Sequence, residues 1–116
     1  MANTSVIRLA GLTNIIAVTS TASTPLLVND DTNDQVNYCS FVNNGTKACA
    51  VKVSPGNGSG VSAVFPVAGT PGDYVLPPLM EVPVVLAVPT TPFYVSAVCA
   101  SGDTTTLFVT PAADQS

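Results

Sequence analysis

The chain has 116 residues, of which 47% are apolar, only 9% are charged and none is histidine, and its formal net charge is −4. That length suits one domain with a real hydrophobic core, while so little charge, against about 25% in ordinary domains, leaves Thr, Ser, Asn, Gly and Pro to cover the surface. With Arg8, Lys47 and Lys52 as the whole basic complement, there is no stripe of positive charge to hold nucleic acid phosphates or an anionic membrane.

The N-terminal "MANTSVIRLAGLT" suggests a first strand near 6–10. The following "IIAV" is too short for a signal-peptide core, and the only nearby positive charge is Arg8, so the expectation is a protein made and kept in the cytosol. Uncharged tracts at 9–29 and 82–102 approach membrane-spanning length, but Thr, Ser, Asn, Gly or Pro interrupt both. Strands are expected at 14–20 and 25–28. The acidic "NDDTNDQ" fails as an EF-hand loop, because Val36 stands where Gly is needed and Val42 where Glu is needed. Asp30, Asp31 and Asp34 remain weak candidates for a looser calcium site, against the plain alternative of a solvated loop.

Alternation with period two marks most of the remainder. Strands are expected at 36–43 and 47–53, with the Asn-Asn-Gly-Thr of 43–46 between them reading as a type I′ hairpin turn. The glycine-rich 55–60 is a loop. "VSAVFPV" at 61–67, "VPVVLAV" at 82–88, "FYVSAVC" at 93–99 and 105–110 within "TTTLFVT" complete the list, with a short piece at 73–76 beside Pro77-Pro78. The Ser-Gly-Asp of 101–103 joins the last two strands in a second expected hairpin, and 112–116 reads as a flexible tail. Eight or nine strands in one domain, 1–116, give an all-β, two-sheet antiparallel β-sandwich. Because the chain has no Trp, the immunoglobulin hallmark is missing and a jelly-roll topology is preferred.

Little here suits catalysis. Without histidine there is neither a Ser-His-Asp set nor an imidazole partner for a cysteine nucleophile. No zinc spacing and no phosphate-binding loop occur, so no enzyme activity and no cofactor are expected. Cys39, Cys49 and Cys99 read as buried reduced thiols, with a Cys39–Cys49 bridge across the expected hairpin as the alternative. Tyr74, Leu76, Leu79, Met80 and Tyr94 form the candidate subunit contact.

Two segments, "YCSFVNNGTKACAVKVS" and "GTPGDYVLPPLMEVPVVLAVPTTPFYVSAVCASGDTTTLFVTPA" (69–112), resemble small tailed-bacteriophage virion proteins. They share the order of a "GDYVLPP" turn, an apolar strand, a "FYVSA" strand, a "SG" turn and a final "LFVTP" strand with head decoration, or cement, proteins and related head and tail subunits. The resemblance implies a sandwich subunit that docks as a dimer or trimer on the outside of an assembled capsid and reinforces joints between major capsid proteins. Its place would be the virion exterior, after synthesis in the host cytoplasm. Residues 1–13 would then be either an arm ordered against the shell through Ile7 and Leu9, or the first strand. The family supplies no catalytic or ligand residues. Competing readings are a phage tail or fibre component, a carbohydrate-binding sandwich, for which the aromatic platform is sparse, and an exported pilus or surface-layer subunit, for which the N-terminus is wrong.

Overall fold

The computed structural model describes residues 7–9, 11–23, 25–28, 38–55, 62–88 and 93–114. They form nine strands and no helix: β1 Ile7–Leu9, β2 Asn14–Val18, β3 Leu26–Val28, β4 Tyr38–Asn43, β5 Cys49–Pro55, β6 Tyr74–Leu76, β7 Val84–Ala87, β8 Phe93–Cys99 and β9 Thr105–Asp114. All pairings are antiparallel. Sheet A runs β1-β9-β4-β7, with β2 also on β9, and sheet B runs β3-β8-β5-β6. The chain is thus an all-β protein of two antiparallel sheets, as the alternation requires. Partners nest along the sequence: β2 with β9, β3 with β8, β4 with β7, and β5 with β6.

Between the sheets lies one core, contributed by alternate residues of both. Phe41, Leu107 and Val109 face inward from sheet A, and Phe93, Val95 and Leu76 from sheet B, all with no exposed surface. Phe93, Val95, Ala97 and Cys99 of β8 and Cys49 and Val51 of β5 line this core in alternation, and Val53, Val84, Leu86 and Val88 pack against its rim. Such fully buried aromatic and branched side chains each contribute about 1.5–3 kcal/mol by leaving water.

Both expected hairpins are corrected. β4 and β5 belong to different sheets, so 44–48 is an arch between layers. A type I′ turn needs positive φ at both central residues, whereas among the described residues only Gly69, Leu79 and Gly102 have it. Gly45 is there for room instead. A Cβ at that position would land on the Thr105 hydroxyl and sit 2.8 Å from its Cβ. Gly45→Ala is therefore expected to cost about 2 kcal/mol, read as a lower denaturant midpoint at unchanged slope.

The arch is held by Asn43, whose side chain is fully buried. Its Nδ2 donates to the Lys47 carbonyl at 2.8 Å and to the Leu76 carbonyl at 3.4 Å. Its Oδ1 accepts the Thr105 hydroxyl at 2.6 Å and the Gly45 N–H at 3.2 Å. One amide thereby satisfies groups on β4, the arch, β6 and β9.

β8 and β9 likewise pass between sheets rather than pairing with each other. Asp103 N–H donates to the Ala100 carbonyl at 3.0 Å, and Gly102 has φ 83°, the third-position geometry of a type II turn, which favours glycine.

The two ends of the chain pair with each other. Ile7–Leu9 lies within the strand expected at 6–10 and is bonded to β9 at 112–114. Residues 112–114 therefore belong to β9 rather than to a tail, because β1 and Tyr38 of β4 supply them with strand partners.

The expected strand at 61–67 is not one. Residues 62–66 are irregular, Pro66 has no N–H for a ladder, and the segment lies over the outside of sheet B. There Ala63 packs with Ala50 and Val98, flanked by Phe65 and Ala22. Its backbone is tied by Ala63 N–H to Ser96 Oγ at 3.1 Å and by Val64 N–H to Asp73 Oδ2 at 2.6 Å.

Candidate interaction surfaces

Asp73 and the three thiols fall where they do structural work. Asp73 caps the 62–66 segment through Val64 and lies 3.7 Å from Lys52 Nζ, a partly exposed pair worth less than about 1 kcal/mol. Among the described residues no cluster of His, Cys, Asp and Glu could hold a metal ion. Asp30, Asp31 and Asp34 lie outside the described residues. Among the described residues no helix is long and apolar enough to cross a membrane.

All three cysteines are buried and free. The expected alternative of a Cys39–Cys49 bridge does not occur, because the arch puts Cys39 in sheet A and Cys49 in sheet B. Cys49 instead stands opposite Cys99 on β8. Cys99 N–H donates to the Thr19 carbonyl, away from β5, which makes Cys49–Cys99 a non-hydrogen-bonded pair, the closer of the two antiparallel arrangements.

Burial pushes the Cys39 thiol up to about 12 against a slight lowering by the Thr110 backbone. Burial, and then the neighbouring Cys99, push Cys49 up to about 12. A thiol whose pKa is raised by folding favours the native state below its unfolded pKa, about 9, and that support is lost as the pH rises toward 12. Stability is accordingly expected to fall between pH 9 and pH 12. Denaturant titrations across that range should show a shallower fall in Cys39→Val than in the parent.

The candidate contact residues are not gathered on one surface. Leu76 is fully buried in the core, because its pairing with Cys49 turns it inward, so it is withdrawn from any subunit contact. Met80 is half-buried against the core rim, with its sulfur accepting the Asn43 N–H at 3.3 Å. Tyr74 and Leu79 are exposed along the seam where the chain leaves sheet B for sheet A. Tyr94 lies on the outside of sheet B, beside Ser54 and Leu27 in register. The Ile7 side chain is outside the described set. Leu9 is 71% exposed on β1.

The outer face of sheet A forms the broader surface. Directly opposed residues share a face, so the registers give its rows. Leu9, Ala112, Tyr38 and Ala87 form one. Thr110, Ser40 and Val85 form the next, with Thr13 Oγ1 2.8 Å from Thr110 Oγ1. Ile15, Phe108 and Val42 form a third, and Ala17 with Thr106 a fourth. None of these residues is charged; the register places one charged residue beyond them on the same face, Asp114 at the end of β9, opposite Ile7. Leu9 and Ile15 are well exposed, at 71% and 64%, and Val85 is partly so.

The sequence carried a signal for this face. In "NIIAV", "YCSFVN" and "TTLFVT" neither alternating set carries a charge, so over these residues the strands have no charged side. Reading only one row per strand as buried passes over it. Comparison of the chain with protein-family models, with curated proteins and with solved structures gave no match in any of the three.

Proposed function

We propose that the protein is a non-enzymatic structural subunit of a virion, a jelly roll that docks as a homo-oligomer on the outside of a tailed-phage capsid and braces contacts between major capsid proteins. The jelly-roll reading is supported by the nested pairing of β2 with β9, β3 with β8, β4 with β7 and β5 with β6. That order is a long antiparallel ribbon rolled into two sheets, an architecture used by viral capsid and lectin domains. Fold alone does not assign a role.

The observation that carries the proposal is the outer face of sheet A, whose four rows from Leu9 to Ala17 carry no charge, with Asp114 at the end of β9 the one charged residue beyond them. A solitary soluble domain keeps such a face wet with charge, whereas a subunit that works against neighbours gains from burying it without stranding an unpaired charge. Many copies on a lattice then hold tightly even where each contact is modest. The resemblance of 69–112 to decoration proteins points the same way.

The test is co-sedimentation of the purified protein with expanded, undecorated capsids of the parent phage. Binding that saturates at a fixed ratio to the major capsid protein, together with a higher temperature of shell disruption, is the expected result. Protein that stays in the supernatant at every ratio would overturn the reading.

A further inference from the structure

The two sheets treat their outer faces differently. Sheet B is covered on the outside by its own chain: Ala63 is buried there against Ala50 and Val98, and along β8 every residue after Tyr94 through Cys99 is buried. On sheet A, β2, β4 and β7 all alternate between sheltered and more open residues, and Ala112 of the outer face is fully buried. By register its outer face holds one charged residue, Asp114, as the outer face of sheet B holds Lys52. Among the described residues the packed cover outside sheet B has no counterpart cluster outside sheet A.

We infer that the outer face of sheet A is the contact between two copies of this chain, packed sheet to sheet about a two-fold axis. The inference rests on the reading of the protein as a self-associating subunit, and it names the surface used. Charge decides for a second copy. Over the four rows from Leu9 to Ala17, a partner bringing Lys, Arg, Asp or Glu would meet no counter-charge and would bury its own unpaired. A second copy brings only apolar and hydroxyl groups to these rows, and its Thr and Ser side chains can exchange hydrogen bonds across the contact; Asp114 stands beyond them at the end of β9.

Area sets the strength. The face is four strands wide, about 19 Å, and the ten residues of β9 run about 33 Å, which bounds it near 600 Å² per copy. Two such footprints total about 1,200 Å², the lower limit for specific pairs. The pairing is therefore reversible and concentration-dependent. An isologous contact puts each residue of the face against the same surface of the partner, so one substitution acts twice.

Sedimentation velocity over a wide concentration range tests this with the full chain. The parent should move from monomer to dimer as concentration rises. Ile15→Glu and Val85→Lys should each weaken dimerisation at least tenfold with an unchanged thermal midpoint, while Val82→Glu, at an exposed site outside sheet A, should not. A dimer that survives Ile15→Glu and Val85→Lys but is lost in Val82→Glu would overturn the inference in favour of the seam. A parent that stays monomeric yet loses capsid co-sedimentation on Ile15→Glu would overturn it too, assigning the face to the shell and leaving the structural role intact. A monomer that also ignores shells would overturn both.

Discussion

Phe41→Ala should lower the stability of the protein by about 3–5 kcal/mol, a large part of the 5–15 kcal/mol typical of a domain. Phe41 is among the largest side chains with no exposed surface, and it sits on β4, which is bonded on one side to β9 and on the other to β7. Truncation to Ala removes the transfer energy of the ring and leaves a hole that two hydrogen-bonded sheets cannot readily collapse. A denaturant titration should show a lower midpoint. Phe41→Leu, which refills most of the volume, should recover more than half of the loss. Equal losses in both variants would mean that shape rather than volume governs this part of the core.

The second large effect belongs to a polar residue. Asn43→Leu keeps the size of the side chain but is expected to cost about 3 kcal/mol. It leaves the Thr105 hydroxyl, the Gly45 N–H and the Lys47 carbonyl without the partners they have in the native protein. Asn43→Asp separates donor from acceptor: a carboxylate can still accept from Thr105 and Gly45 but would set its charge against the Lys47 and Leu76 carbonyls. Protonation restores a donor, so the pKa of this Asp would be raised in the folded state. Its destabilisation should shrink as the pH is lowered from 7 toward 4. A pH-independent loss in Asn43→Asp would show that the amide matters for packing alone.

How far the fold could be read in advance differs from element to element. The residues of β4, β5, β8 and β9 were legible because alternation reports which side chains share a face. The partners of those strands were not. Asn44-Gly45 and Ser101-Gly102 announce that the chain turns, but a turn within one sheet and an arch between two sheets draw on the same residues. What decides is the third layer of contacts, here Asn43 reaching Lys47, Leu76 and Thr105. The 62–66 segment misled for a related reason: its apolar row is real and is buried, though on Ala50 and Val98 outside sheet B instead of in the sandwich core.

The surface was harder still to read. Leu76 and Tyr74 are two residues apart on one strand, yet one is sealed inside and the other is 55% exposed, since β6 lies at the edge of sheet B and only one end of it is covered. Ile15, Phe108 and Val42 stand in one row only because β2 and β4 flank β9, a neighbourhood that spans most of the chain. Local pattern holds no information about such a row until the pairing is known.

The position of β9 bears on how the protein is made. It is the final strand in the sequence and the one to which β1, β2 and β4 are all bonded. Until β9 has been made, β4 can pair only with β7, and β1 and β2 have no strand to pair with. Sheet A is therefore completed only once β9 is present, through contacts between distant parts of the chain, which form slowly. Products cut short before β9 lack the spine of that sheet. A chain that stops short of β9 therefore cannot close the sandwich, and the last strand acts as a check on every strand made before it.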